Sequence, residues 1–181
     1  AALRAECGAS DTDFLIGGVG RLAHSKGFDV LIRAFRKADS PHAKLVIVGA
    51  GRERESLEKL IGDAPVKLLG FRDDAKDFYQ AFDLFVSPSR SEPLGRVLFE
   101  ALDAGTPVLA TRTQGPTEIL ARLPGTLVPI DDVAAMAAAL SAAQCAPRVR
   151  CAVDLTPWHL DNVARETLAA YEALRMARTQ A

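Results

Sequence analysis

The fold is decided by residues 84–111, which read LFVSPSRSEPLGRVLFEALDAGTPVLAT. Apolar runs at 84–86 and 108–110 are continuous rather than alternating, which is typical of strands buried on both faces of a sheet. Between them, five apolar residues recur with the spacing of one helix face: Leu94, Val97, Leu98, Ala101 and Leu102. Gly105 then ends the pattern, so the stretch predicts a strand, a helix from about 94 to 104 and a second strand.

The same alternation extends in both directions from this unit. Four more apolar runs have the length of strands and lie at 14–16, 45–48, 66–69 and 126–128. Further helical patterns lie at 28–35, 57–61 and 131–143, and a long one follows from about Pro157 with Thr156 as its candidate N-cap. Alternating strands and helices predict an α/β fold, a Rossmann-like doubly wound parallel sheet of about six strands with helices on both faces.

Size, charge and cysteine content exclude several classes of protein. The 181 residues suffice for one domain of ordinary size. A net charge of −1 speaks against general binding to nucleic acid or anionic membranes, although a local basic site remains compatible with it. Three scattered cysteines predict reduced thiols of a cytoplasmic protein rather than a disulfide framework. Neither a signal peptide nor a membrane-spanning segment is expected, because no long apolar run occurs.

Glycine, hydroxyl and charged residues follow each predicted strand. These segments are GGVGR at 17–21, GAGR at 49–52, GFR at 70–72, SPSRSE at 87–92 and TRTQG at 111–115. Ligands of open parallel sheets bind at these strand ends, and glycines with free N–H groups favour phosphate. A phosphorylated ligand is therefore the first hypothesis, with ordinary glycine-rich turns as the alternative. The G-x-G-x-x-A match at 18–23 lacks the immediate helix and the acidic residue of a dinucleotide site.

Two carboxylates in this region have a spacing that suits one extended ligand. Glu92 lies in the loop before the predicted helix, and Glu100 lies roughly 7–8 Å beyond Gly95 at the helical rise of 1.5 Å per residue. Together they could hold two separated hydroxyl groups, with the amides at the helix start meeting a diphosphate between them. Spacing alone leaves open that Glu92 is a loop charge and Glu100 a solvated residue paired with Arg96.

A family resemblance rests on four stretches of the chain. They are GGVGRLAHSKGFDVLIRAF at 17–35, KLVIVGAGRERESLEKL at 44–60, VKLLGFRDDAKDFYQAFDLFVSPSRSEPLGRVLFEALDAGTPVLATRTQGPTEIL at 66–120 and DLTPWHLDNVARETLAAYEAL at 154–174. In this order they resemble the C-terminal donor-binding domain of retaining GT-B glycosyltransferases of family 4. The E-x7-E pattern is weak alone, but the G-R-L-x3-K-G motif and the S-P-S-x-S-E turn before it make the resemblance specific.

The resemblance implies a catalytic set made of Arg21, Lys26 and Glu92. The two cations would hold the donor diphosphate and stabilise the charge of the leaving group, and Glu92 would contact the transferred sugar. Gly18 would permit close approach of the first loop. Two cations can stabilise a departing diphosphate without a metal, and a guanidinium can grip phosphate with two hydrogen bonds. Neither a metal site nor a cofactor is therefore expected.

Five further residues would bind the donor if the resemblance holds. Leu94 and Gly95 would contact the phosphates through their backbone, and Glu100 would accept hydrogen bonds from the ribose hydroxyls. Phe71 and Arg72, which follow the third predicted strand, would lie against the base. The predicted ligand is thus a nucleoside-diphosphate sugar that spans the strand ends.

The resemblance also implies an arrangement and a reaction. Residues 1–155 would form the nucleotide-sugar-binding domain, and residues 156–181 the helix that crosses back to an N-terminal acceptor domain. The two-domain enzyme would transfer a sugar with retention to a glycan or lipid-linked acceptor of polysaccharide biosynthesis, in the cytoplasm or at the inner face of the membrane. This chain alone would transfer little. The alternatives are a non-catalytic nucleotide-binding or assembly module, or a GT-B sugar-nucleotide epimerase.

Overall fold

Six parallel strands form one sheet in the order β3-β2-β1-β4-β5-β6 in the computed structural model, which describes residues 2–179. Their bounds are β1 Phe14–Val19, β2 Ala43–Val48, β3 Val66–Gly70, β4 Leu84–Ser87, β5 Val108–Thr111 and β6 Thr126–Val128. All five neighbouring pairs are parallel. The six predicted apolar runs are therefore the six strands, and the α/β prediction is confirmed.

Helices cover both faces of the sheet. They are α1 Ala2–Glu6, α2 Phe28–Ala38, α3 Arg54–Ile61, α4 Ala75–Tyr79, α5 Arg96–Asp103, α6 Gln114–Leu120, α7 Val133–Cys145 and α8 Leu160–Thr179. Two 3₁₀ turns, His24–Lys26 and Thr156–Trp158, precede α2 and α8. The sequence did not predict α1, α4 or α6, because helices of five to seven residues are too short to display a 3.6-residue period.

The core has two halves because strand side chains alternate between the faces of a sheet. On β2, Leu45 and Ile47 join a cluster with α2, α3 and α7. Val46 and Val48 on the same strand join a cluster with α4, α5 and α6. Burial on both faces explains why the strands are continuous apolar runs rather than alternating patterns.

The C-terminal helix begins later than predicted. Thr156 and Pro157 lie in a 3₁₀ turn that begins after Leu155, and α8 begins only at Leu160. The Thr156 N–H donates to the Asp154 carboxylate at 2.9 Å. The apolar residues Val163, Leu168 and Tyr171 of α8 are exposed. The predicted boundary between residues 155 and 156 stays a prediction, and residues 1, 180 and 181 lie outside the described residues.

Within residues 2–179, none of the helices has both the length and the apolar character needed to cross a membrane.

Candidate functional site

The strand order reverses between β1 and β4. Strand β1 pairs with β2 on one side and with β4 on the other, so the connections that leave β1 and β4 run in opposite directions. A crevice forms outside the carboxyl ends of the strands at such a point. The two loops that border it, residues 20–27 and 88–95, carry five of the predicted site residues: Arg21, Lys26, Glu92, Leu94 and Gly95.

These two loops are in direct contact. The Ser25 carbonyl accepts the N–H of Arg90 at 2.8 Å and that of Ser91 at 3.3 Å. Gly27 has φ +65°, and a Cβ at this position would overlap the carbonyl oxygen of Pro88. Only glycine fits this left-handed backbone and this close approach, so the loops form one unit whose position depends on a residue without a side chain.

Lys26 and Glu92 form an ion pair across the two loops. The Lys26 Nζ lies 2.5 Å from Glu92 Oε2, and Glu92 Oε1 accepts the N–H of Gly95 at 3.0 Å. The side chains are 26% and 12% exposed, respectively. Burial raises the pKa of Glu92, but the hydrogen bonds from Lys26 and Gly95 outweigh it and leave the pKa below its ordinary value. Glu92 is therefore a carboxylate at neutral pH.

Arg21 lies at the mouth of an open cleft. The cleft has a volume of about 640 Å³ and is lined by Arg21, Leu22, Ala23, His24, Ser25, Arg52 and Arg90. Within residues 2–179, the exposed Arg21 guanidinium makes no hydrogen bond or ion pair. A guanidinium without a protein partner beside a cleft is available to bind an anionic ligand.

Leu94 and Gly95 form the entry to α5. Leu94 is exposed, while Gly95 is buried and provides the N–H that Glu92 binds. The first amides of α5 follow immediately and have no partner within the helix. Gly18 lies inside β1, where a Cβ would fall 2.9 Å from the ring of Phe28. Packing against Phe28 therefore explains why a glycine stands at position 18. The role of Gly18 in the close approach of a ligand stays a prediction.

Phe71 and Arg72 follow β3, two strands away from β1 in the sheet. Phe71 is 74% exposed and free to stack on a ligand. The Arg72 guanidinium instead binds the Asp74 carboxylate at 2.7 and 2.8 Å and Glu6 at 2.5 Å, and it lies 5.1 Å from the centre of the Phe78 ring. These carboxylates, Asp74 first, raise the pKa of Arg72. Its predicted contact with the base would compete with these bonds.

Glu100 lies midway along α5 and binds a buried tyrosine. The Tyr79 hydroxyl donates to Glu100 Oε2 at 2.8 Å. The ion pair with Arg96 that spacing left open does not occur in the described part of the chain. The structure thus joins Lys26 to Glu92 directly, whereas Glu100 is held separately through Tyr79. Within residues 2–179, neither Phe71 nor Arg72 forms a hydrogen bond or ion pair with either pair.

The family comparison decides among the classes of protein with this fold. The sequence profile of the family described as glycosyl transferases group 1 matches residues 13–144, which contain both loops. The chain belongs to this family. The group 1 glycosyltransferase profile therefore includes all nine of the predicted site residues.

Similar proteins come from bacteria and archaea. The lipopolysaccharide core biosynthesis glycosyltransferase LpsE of Rhizobium meliloti is 40% identical over 106 residues, which are 56% of this chain and 31% of LpsE. The uncharacterized glycosyltransferase MJ1607 of Methanocaldococcus jannaschii is 42% identical over 124 residues, 65% of this chain and 32% of MJ1607. This group 1 chain thus spans about a third of the length of the curated relatives it matches.

A solved protein structure shares the fold of this chain. The Anabaena protein HepE, crystallised with UDP and glucose, matches with a TM-score of 0.72 and 29% identity. The match covers 80% of this chain and 42% of HepE. The Rossmann-like sheet of this group 1 glycosyltransferase chain is therefore shared with a protein that binds UDP.

Sequence reasoning missed a central residue of the site, Arg90. Its guanidinium binds both oxygens of Asp29 at 2.7 and 2.9 Å, the Asp131 carboxylate at 2.7 Å and the His24 carbonyl at 2.7 Å. Arg90 therefore links the two site loops to α2 and to the turn before α7. The only sequence signal was an arginine inside the S-P-S-x-S-E turn, where no local pattern shows that its partners lie about 40 to 66 residues away.

Proposed function

We propose that this chain is the donor-binding domain of a retaining GT-B glycosyltransferase of family 4, which binds a nucleoside-diphosphate sugar for transfer to an acceptor. The observation that carries the proposal is the pairing of Lys26 with Glu92 at the strand-order reversal; the unpaired Arg21 lies on the same loop as Lys26. Separate loops thus bring a cation for phosphate and a carboxylate for a sugar hydroxyl to within 2.5 Å of each other. This is the convergence that a sugar linked to a diphosphate requires.

The charges of these residues suggest the course of the reaction. A diphosphate that enters the crevice competes with Glu92 for Lys26, and the released carboxylate can then accept a hydrogen bond from the sugar. Negative charge grows on the phosphate as its bond to the anomeric carbon breaks, and Arg21 and Lys26 stabilise that charge. The acceptor oxygen bonds to the anomeric carbon on the same face, and its proton passes to a leaving phosphate oxygen.

The remaining roles follow the resemblance. The backbone of Leu94 and Gly95 would bind phosphate at the start of α5, Glu100 would bind the ribose, and Phe71 would stack on the base. A metal is not required by this charge arrangement, although metal independence stays a prediction. The HepE complexes with UDP and with UDP-glucose support a uridine donor as the first candidate.

The whole enzyme would extend beyond this chain. The limited share of the curated relatives that it spans supports a second domain that supplies the acceptor site. We propose that residues 156–181 contact that domain, because the apolar face of α8 is exposed here. The name of the relative LpsE, which refers to lipopolysaccharide core biosynthesis, supports a glycan or lipid-linked acceptor of the cell envelope. A cytoplasmic location, or one at the inner membrane face, stays a prediction.

Calorimetric titration of the chain with UDP and GDP tests donor binding. We expect Arg21→Ala to weaken binding about 10- to 100-fold, which corresponds to the loss of one charge-assisted hydrogen bond. Arg165→Ala is the matched control, because Arg165 is an exposed arginine on α8 whose guanidinium binds the nearby Asn162 on the same helix. Absence of binding to either nucleotide, or equal losses in the two variants, would overturn the proposal.

A further inference from the structure

We infer that Tyr79 is a positioning residue of the donor site, whose hydroxyl holds the Glu100 carboxylate in the orientation that accepts the ribose hydroxyls. The inference rests on the proposed function, because it assumes the ribose contact of Glu100. Tyr79 itself has 1% of its surface exposed and would not touch the donor. It would act only through the carboxylate to which it donates.

Both the backbone carbonyl and the ring of Tyr79 make buried contacts. Its carbonyl accepts the buried Thr106 hydroxyl at 2.6 Å. Its ring packs edge-on against Phe85 and Phe82, with centroids 5.1 and 6.2 Å away. Aromatic rings in such a cluster have few alternative rotamers, so the phenol oxygen occupies one place. A hydroxyl fixed in this way imposes its own position on the carboxylate that it binds.

The polarity of the hydrogen bond is determined by the chemistry of the two groups. An ionised carboxylate only accepts, so the tyrosine must donate. Burial, followed by the negative charge of Glu100, raises the pKa of Tyr79 above its ordinary value of 10. The phenol therefore keeps its proton near neutral pH and can donate this hydrogen bond there.

The hydrogen bond leaves most of the carboxylate available. A carboxylate offers about four lone-pair sites, and Tyr79 uses one of them on Oε2. Within residues 2–179, Oε1 has no hydrogen-bond partner. Helical side chains lean towards the N-terminus of their helix, which for α5 is the site loop at 88–95. Because Glu100 is already oriented, ribose binding does not have to restrict a freely rotating side chain.

The test compares a ribonucleotide with its counterpart that lacks the ribose hydroxyls. The chain is titrated with UDP or GDP, whichever binds more tightly, and with the 2′,3′-dideoxy form of the same nucleotide. We expect Tyr79→Phe to weaken the ribonucleotide about tenfold, which corresponds to about 1.4 kcal/mol, and the dideoxy form less than about twofold. Tyr171→Phe is the matched control, since Tyr171 is the other tyrosine of the chain and is exposed on α8.

A double-mutant cycle separates positioning from packing. If Tyr79 acts only through Glu100, then Tyr79→Phe should cause no further loss in a Glu100→Ala background. A packing role would still lower affinity in that background. Should Tyr79→Phe reduce the folded fraction, Glu100→Gln provides a second variant. Its amide oxygen still accepts the Tyr79 hydroxyl, so it should retain more ribose discrimination than Glu100→Ala.

The possible failures are distinguishable. Equal losses for the two nucleotide forms, a loss that persists in the Glu100→Ala background, or no loss in Tyr79→Phe would overturn the positioning role and leave donor binding intact. The same holds if Glu100→Gln discriminates no better than Glu100→Ala. If the unmodified chain binds no nucleotide, or Glu100→Ala affects both forms equally, the ribose contact itself fails and the role of Tyr79 fails with it.

Discussion

Glu92 is the residue whose environment differs most from that of a surface glutamate. One carboxylate oxygen binds Lys26 and the other binds the N–H of Gly95, while only 12% of the side chain is exposed. A partly buried carboxylate needs such partners, because desolvation would otherwise favour its neutral form. Glu92 binds the Lys26 ammonium, which is the group that would attract a donor diphosphate, so the two proposed ligand contacts stabilise each other.

Acid should remove the contribution of Glu92 to stability. Its pKa is lower in the folded chain, so this contribution is fully present above the ordinary glutamate pKa of 4.5 and disappears as pH falls through the lowered value. We expect Glu92→Gln to be less stable than the unmodified chain by about 1 kcal/mol at pH 7, and the difference to shrink as pH falls below 4.5 through the lowered pKa. Urea unfolding at several pH values measures it. The control is Glu166→Gln, which makes the same substitution at an exposed glutamate on α8.

At the scale of elements, the Arg90 side chain joins four parts of the fold that lie far apart in the sequence. It reaches from the β4–α5 loop to Asp29 on α2, to the His24 carbonyl after β1 and to Asp131 before α7. Asp131 has φ +58°, a left-handed backbone that is unfavourable for residues other than glycine. The Arg90 bond offsets part of that strain. These bonds of Arg90 help to hold together the two loops that carry Lys26 and Glu92.

We expect Arg90→Lys to destabilise the fold by about 1–3 kcal/mol, because lysine cannot reproduce the two parallel bonds to Asp29 while also reaching Asp131. Thermal and urea unfolding measure the loss. Arg33→Lys is the matched control, since Arg33 approaches the same Asp29 carboxylate at 4.0 Å from an exposed position. A loss of stability from Arg33→Lys as large as that from Arg90→Lys would contradict the proposed stabilising role of Arg90.

For the whole molecule, the distribution of apolar surface separates two regions. Leu98 on α5 is fully buried in one half of the core, whereas Leu168 on α8 is 62% exposed. Trp158 attaches the segment before α8 to Phe99, with ring centroids 5.9 Å apart. The apolar residues of α8 beyond this contact therefore contribute little to the stability of the sheet and its covering helices.

Substitution of these two leucines should have very different effects. We expect Leu168→Gln to change the free energy of unfolding by no more than about 0.5 kcal/mol, and Leu98→Ala to lower it by about 2–5 kcal/mol. Urea titration followed by circular dichroism compares the two. A loss above about 1 kcal/mol for Leu168→Gln would mean that α8 belongs to the same packed core.

Particular residues show how far sequence reasoning extends. The six strands were predictable because each is a short apolar run, which in β1, β2, β4 and β5 is buried on both faces. The site loops were predictable because ligands bind at strand ends. The family resemblance assigned Lys26 and Glu92 to different parts of the donor, yet nothing in the sequence indicated that they would pair with each other. The Arg72 bond to Glu6 was equally hidden, because Glu6 lies on the short α1 that the sequence did not predict.

The amino-acid sequence by itself therefore determined the strands and the longer helices, their α/β class and the segments that carry the chemistry. These properties depend on local periodicity and on turn residues, which act over a few positions. Only the tertiary structure decided which side chains meet. The Lys26–Glu92 and Arg90–Asp29 contacts join residues 66 and 61 positions apart, and Tyr79 lies 21 positions from Glu100. Such contacts depend on strand order and on the directions in which helices present their side chains, which no local pattern records.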